Sequence, residues 1–476
     1  MSVGLRDSDV DAVVLLGHRP APVIVETDDH RDLAAYRALR RRVFVQEQGL
    51  FHRSDADDVD SDPRTRVLVV RAPDGTVLGG VRIHPTTGGA EIGRDIGWWR
   101  GSRLVVAPGA ARGTGSMLVR AACALAETAG ALRFDATVQE QNEVLFTRLG
   151  WVRRGTNLVQ GVPHALMDYP IARVQRLADA TKAPLGGLLA AITATPYGGG
   201  GPGFVGDDAA PVPTAEGYSG LVAACDAILP SMVERDPEWA GWCAVLVNVN
   251  DLFAMGASPV GLLDAVGARD ASFARRVLAG LTAAAEAWGV PVLGGHTQLG
   301  VPGSLSVTAL GRTDSPVPGG GGQAGQRLRV TADLGGAWRP GYGGSQWDSS
   351  STRTPAEMRA LAGVVPALHP TAAKDVSMSG LVGTTGMLAE ASGCGAVLDV
   401  ADVPAPSAAA PGDWLTCFPG FAVVTAETSE SVDALPDFVT TAVCGELVEG
   451  TGVGLRWPDG IVTEAVSSTV TGMGAA

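Results

Sequence analysis

The segment VNVNDLFAMGASPVG, Val247 to Gly261, sets Asn248, Asn250 and Asp251 into a run that otherwise reads as a buried strand turning into a helix. Burying polar groups without partners costs on the order of 2 to 7 kcal/mol each, so any fold of this chain must bring something to them. The pattern recurs: Asp207 and Asp208 in VGDDAAPV, Asp226 in LVAACDAILP and Asp375 in AAKDVSMSGLVG each lie in or beside an apolar stretch. Clustered carboxylates raise one another's proton affinity unless a cation intervenes. Hard oxygen ligands suit magnesium, which also takes water and substrate phosphates. The acids therefore predict a magnesium–nucleotide site on Asp207, Asp208, Asp226, Asp251 and Asp375, with Asn248 and Asn250 orienting it or ligating directly. A helix N-cap at Asn250 or Asp251 accounts for that one segment equally well.

A chain of 476 residues is too long for one ordinary core, and about 150 residues per domain suggests two to four. Val67 to Ile83 reads as two β-rich runs joined by an Asp-Gly turn, a hairpin signal. The strand SRLVVAP, a glycine-rich turn feeding an amphipathic helix, and the strand LRFDATV follow, and this first unit closes near residue 172. Residues 173–185 read as a linker helix, with a second part split into 186–318 and 319–476. There, SFARRVLAGLTAAAEAWGVPVLGGHTQ reads as helix then strand, LRVTADL as a strand, and GLVGTTGMLAEASGCGAVLDV as helix, turn, strand. Thr354, Pro355 and Glu357 form the signature of a capped helix start. The alternation argues for α/β and α+β units. Gly198 to Gly201 read as slack linker or as a flap that orders on a ligand, and PVPGGGGQAGQ as a surface loop.

A formal charge of −14 with no basic block argues against nucleic acid or an anionic membrane as partner. Six scattered cysteines without a C-x-x-C pair fit a reducing cytosol. The start of the chain does not read as a signal peptide, and no apolar run reaches about 18 residues. The expected protein is soluble and cytoplasmic.

Arg112, Gly113, Thr114 and Gly115 stand between a strand and a long helix. Unpaired N–H groups at a helix start make an anion site; an ordinary strand-to-helix turn uses the same residues. VVAPGAARGTGSMLV and NEVLFTRLGW resemble the acetyl-CoA loop and the later asparagine element of the GNAT superfamily of acyl-CoA N-acyltransferases, over roughly residues 20–170. The resemblance implies a GNAT fold that binds acetyl-CoA or another acyl-CoA through Val105, Val106, Arg112, Gly113, Thr114, Gly115 and Asn142. Met117 stands where that loop usually ends in Gly or Ala, and Phe146 near where many members carry the tyrosine that protonates the leaving thiolate. A general base would come from Glu47, Glu91, His52 or His84.

GDDAAPV, NVNDLFAMGASP, GGHTQ and DVSMSGLVGTTGMLAEASGCGAVLDV resemble the PurM-like (AIR synthase) ATP-binding superfamily over about residues 180–465. This implies a two-part α/β domain that dimerises through strands and binds ATP with two or more magnesium ions. Gly199, Gly200, Asn248, Asn250, Gly294, Gly295 and Thr297 would lie on the nucleotide. His296 would bind a phosphate, act on the nucleophile, or hold a turn. The whole resembles acyltransferase–AIR synthase fusions of bacterial gene clusters built around a nitrilase. That implies nitrogen-poor or nitrile-related metabolism. The expected protein is a bifunctional enzyme acting on a small amine, amide or nitrile-related molecule, acylated from acyl-CoA and activated by Mg-ATP. The alternatives are an acyl-CoA sensor on a dimeric ATP-binding scaffold, or a small-molecule kinase.

Overall fold

The computed structural model describes residues 21–88, 93–193, 195, 201–214, 217–429 and 432–476. These fall into two compact units: residues 1–171 with 410–412, and residues 172–409 with 413–476. No helix among the described residues is long and apolar enough to cross a membrane. All six cysteines are free.

The first unit is built on a seven-stranded sheet of β1 (Val23–Glu26), β2 (Arg66–Arg71), β3 (Val77–Pro85), β4 (Trp98–Val106), β5 (Arg133–Gln139), β6 (Val152–Val159) and β7 (Val162–Tyr169), in the order β1-β2-β3-β4-β5-β7-β6. The expected hairpin is β2–β3: Asp74 Oδ1 accepts from Thr76 N at 2.9 Å. Gly75 takes φ +86°, which an L side chain resists. Strands β4 and β5 are the parallel pair, and they stay in register only from Trp98–Arg133 to Gly101–Ala136. Beyond that point they part, and β4 is left bound on one side only, to β3. Helix Thr114–Thr128 packs Leu118, Val119, Ala122 and Ala126 into the core of this sheet.

The second unit holds three sheets. The first comprises β8 (Ala210–Thr214), β9 (Gly217–Ala227), β10 (Ser258–Ala268), β11 (Val292–Leu299) and β12 (Ser304–Arg312), in the order β11-β10-β12-β9-β8. Helices Pro237–Ala254 and Ala271–Trp288 supply much of the core over one face of it. Asp270 caps the second helix by accepting from Phe273 N at 2.8 Å, and Gly289 ends it at φ +69°. The two helices approach closely because Gly241 and Gly280 lack side chains: a Cβ on Gly280 would overlap the Glu238 carbonyl oxygen.

Downstream lie β13 (Arg327–Ala332), β14 (Ala337–Trp338), β15 (Gln346–Asp348), β16 (Ala372–Asp375), β17 (Gly395–Asp399), β18 (Phe418–Pro419), β19 (Ala422–Glu427), β20 (Thr440–Val448), β21 (Val453–Arg456) and β22 (Val462–Val466). Seven of these form a sheet ordered β16-β19-β13-β20-β17-β21-β22, and β14, β15 and β18 a small one. Thr354 and Glu357 cap helix Pro355–Ala360 reciprocally, as their spacing predicts.

Three expectations change. Asn248, Asn250 and Asp251 are not on a strand and cap nothing; they lie in the last turns of the 18-residue helix Pro237–Ala254. The helix is buried on nearly every side, so the segment carries no 3.6-residue period to distinguish it from a strand. The linker helix of 173–185 is instead helix Arg173–Thr181 and the start of Leu185–Thr193, within the second unit, where Gln175 Oε1 accepts from Ser467 N at 2.9 Å. The Gly319–Gly322 cluster is not a surface loop: Gly319 and Gly322 are buried, and a Cβ on Gly321 would overlap the Thr371 carbonyl oxygen.

Candidate functional sites

In the second unit, one ligand oxygen from each of Asp208, Asp251 and Asp375 lies within 4.8 Å of the others. Three separate parts of the chain meet here: the loop before β8, the end of helix Pro237–Ala254, and the last residue of edge strand β16. The loop runs along the free edge of that strand, where Asp208 Oδ2 accepts from Asp375 N at 3.1 Å. Burial pushes the Asp208 carboxyl up to about 6, against the pull of Lys374. Burial raises Asp251 and Asp375 well above the usual carboxylate range, and the neighbouring carboxylates add to it. Such a set holds protons or a cation; it is not stable as three bare anions.

Orphaned polar atoms surround the triad in sequence. Asn248 Nδ2 donates to Ala244 O at 2.8 Å and Asn250 Nδ2 to Gly420 O at 3.1 Å. The Oδ1 of each is buried without a partner, as are Ser377 Oγ and Ser379 Oγ just beyond Asp375. Native interiors leave few such atoms unpaired. The three carboxylates make a donor set of hard oxygen that fits a divalent cation such as magnesium.

The structure separates the other predicted acids from this triad. Asp207, adjacent to Asp208, has Oδ1 bound by Lys374 Nζ at 2.9 Å and Asp208 N at 2.8 Å, and Oδ2 by Gly319 N at 2.6 Å. These three bonds use most of its acceptor capacity, and it lies outside the group of three. Asp226 lies outside the group of three, although its charge helps to raise both Asp251 and Asp375.

His296, Gly294, Gly295 and Thr297 lie on exposed edge strand β11. The register runs Ala227–Ser306–Ala265–His296 across the sheet, three strand spacings or about 14 Å. His296 shares the row of exposed Ala265, whereas Asp226 alternates onto the face of buried Val222 and Ala224. Within one chain His296 therefore does not join the acids. Gly199 and Gly200 lie outside the described residues, as does Glu91.

The first unit has a cavity of about 400 Å3 where β4 and β5 part. Its wall includes Arg103, Val105, Val106, Gly115, Asn142 and His164. Gly113 precedes helix Thr114–Thr128 at φ +94°; Thr114 N donates to Ala111 O at 3.2 Å, and no side chain caps the helix, which leaves the next N–H groups of its first turn to an anion. Arg112 and Asn142 are exposed.

Glu47, His52 and His84, the three proposed bases among the described residues, do not line this cavity. Exposed Glu47 pairs with Arg42 at 2.9 Å, and His52 is also exposed. His84 is buried, and its imidazole is lowered to about 4 by burial and the nearby Arg82 and Arg100. The histidine that does line the cavity is His164 on β7. Its Nδ1 lies 2.9 Å from the Val162 carbonyl oxygen. A carbonyl only accepts, so Nδ1 carries the proton and Nε2 of the neutral ring is the acceptor. Only the β5–β7 pairing, Gln139 with His164, brings it there, and no local motif announces it. Phe146 also lines the cavity and packs edge-on against Trp151 at 5.1 Å.

Against known families, residues 206–313 match the N-terminal domain of AIR synthase related protein, and 337–458 match its C-terminal domain. An uncharacterized protein of Synechocystis, sll0787, is 34% identical over 251 residues, covering 52% of this chain and 75% of the relative. The chain belongs to the AIR synthase related family. A second relative of this AIR synthase related chain is the thiamine-monophosphate kinase of Rhodopirellula baltica, 34% identical over 147 residues, 28% of this chain and 46% of the kinase. Among solved structures, AaThiL complexed with AMPPCP and TMP aligns with TM-score 0.45 at 21% identity, over 58% of this chain and 93% of that one. T. maritima PurL complexed with ATP aligns with TM-score 0.44 at 18% identity, over 56% and 48%.

Proposed function

We propose that the second unit is a magnesium-dependent ATP-using enzyme that activates a small nitrogen-containing metabolite by phosphoryl transfer. The observation that carries this reading is the convergence of Asp208, Asp251 and Asp375, with unpartnered oxygens of Asn248 and Asn250 nearby in sequence. Its kinship with thiamine-monophosphate kinases supports the same chemistry. The three aspartates would hold the cation. Asn248, one helical turn before Asp251, would present its free carbonyl oxygen to a water or hydroxyl. Bound there, magnesium would neutralise triphosphate oxygens and favour displacement at the terminal phosphorus.

The solvent-facing side of the five-stranded sheet exposes Leu263 beside Ala265 and His296, and strand β11 exposes Leu293 and Leu299. An uncovered apolar sheet face of this kind supports a homodimer through the strands.

For the first unit the reading is a GNAT-type N-acyltransferase. The parting of β4 and β5, the uncapped helix behind Gly113 and the cavity between them suit an acyl-CoA whose pyrophosphate meets the helix start. His164 Nε2 is the proton acceptor this reading uses: it takes a proton from the amine that attacks the thioester carbonyl, and returns it to the departing thiolate.

The test uses the full chain. Substrate-stimulated ADP release is expected with Mg-ATP and lost in Asp251→Ala and Asp375→Ala while far-UV dichroism stays native. Turnover retained in both variants overturns the metal assignment. Acetyl-CoA is expected to bind in calorimetry, and its absence removes the acyltransferase reading. Where an amine acceptor is found, His164→Gln is expected to lower kcat by on the order of 10² to 10⁴ without weakening acetyl-CoA binding.

A further inference from the structure

The acidic pocket of the second unit already contains one cation. Lys374 is fully buried, and its ammonium lies 2.9 Å from Asp207 Oδ1, 3.0 Å from Asp208 Oδ1 and 3.5 Å from the Gly206 carbonyl oxygen. An ammonium has three N–H donors, and these three oxygens account for them. Two carboxylates within hydrogen-bond distance offset the cost of burying the ammonium. The neighbouring backbone is shaped around this group: a Cβ on Gly319 would overlap Asp207 Oδ1 and come within 2.9 Å of Lys374 Cε.

We propose that the Lys374 ammonium is a built-in cation of this pocket, so that the protein by itself binds a single divalent ion, on Asp208, Asp251 and Asp375. Asp207 is thereby withdrawn from metal binding and serves to clasp Lys374 to the Gly319 backbone. Geometry carries this: the ammonium sits on Asp207 Oδ1 and Asp208 Oδ1, so a second ion bridging those two atoms would have to displace it. This inference rests on the metal reading of the proposed function and sharpens it, since the family resemblance implies two or more magnesium ions.

Manganese is the probe, with free Mn2+ counted by electron paramagnetic resonance against the full-length protein without nucleotide. Wild type is expected to bind one Mn2+ per chain. Lys374→Met, which frees Asp207 and Asp208, is expected to bind two. Asp207→Asn is expected to keep the single ion with affinity within about threefold of wild type, because Asp207 is not a ligand. Should Lys374→Met fail to fold, wild type and Asp207→Asn still decide. Two tight ions on wild type, or loss of the ion in Asp207→Asn, would overturn the assignment of Lys374 while leaving a metal site in place. No Mn2+ on wild type at millimolar concentration would remove the metal site, and this inference with it.

Discussion

Replacing Asp251 by asparagine separates a metal site from a structural acid cluster, because the two make opposite demands on stability. The ligand oxygens of Asp208, Asp251 and Asp375 lie within 4.8 Å of one another. At an effective dielectric constant of about 20, two unit charges at that distance repel by roughly 3 kcal/mol. In metal-free protein at alkaline pH, Asp251 either bears burial of its charge together with this repulsion from two neighbours, or takes up a proton to escape both. Asparagine has the same shape and no charge. Allowing for proton uptake, a net relief of about 1 to 2 kcal/mol is expected, which for a unit of this size corresponds to a rise in Tm of roughly 1.5 to 3 °C. The assay is thermal unfolding of wild type and Asp251→Asn near pH 8, in EDTA and in millimolar Mn2+. The variant is expected to unfold at a higher temperature than wild type in EDTA and to lose the Mn2+-induced rise that wild type shows. A variant less stable in EDTA that keeps its Mn2+ response would refute the reasoning, since Asp251 would then be stabilised by partners of its own.

The raised acids also set a pH dependence. Burial pushes Asp208 up to about 6 and also raises Asp251 and Asp375 well above the usual carboxylate range. Their contribution to metal-free stability is complete below about pH 4 and is lost as pH rises through 6 and beyond, so Tm in EDTA should fall over that range. Proton competition at Asp208 alone makes the apparent Kd for Mn2+ about tenfold weaker near pH 5 than near pH 8, a trend measurable by titration at fixed ionic strength. Gly280→Ala drives a methyl group into the Glu238 carbonyl between two core helices and should cost about 3 kcal/mol or more in urea unfolding, with secondary structure retained. Arg112→Ala, at the exposed rim of the uncapped helix start, should weaken acetyl-CoA binding by roughly five- to tenfold in calorimetry without changing Mn2+ binding.

Short-range features of this chain were legible from residue order alone. Asp74-Gly75 between two β-rich runs specifies its hairpin because only a few backbone conformations close that turn. Thr354, Pro355 and Glu357 specify a helix start because their side chains satisfy the first N–H groups locally. The placing of aspartates in apolar surroundings announces a polar site, since burial without a partner is prohibitive whatever the fold.

Tertiary structure decided which acids meet. Asp207 and Asp208 are neighbours in sequence with the same chemistry, yet one clasps Lys374 and Gly319 while the other also faces Asp251 and Asp375. Lys374 lies 167 residues from Asp207, and no local pattern carries that pairing. The helix bearing Asn248, Asn250 and Asp251 was unreadable for a related reason: a segment buried on nearly all sides loses the polar–apolar period that separates helix from strand. His164 reached the first unit's cavity only through the pairing of β5 with β7. Caps and turns are settled by atoms within a few residues of one another, whereas a cation pocket is settled by where distant strands and helices come to rest.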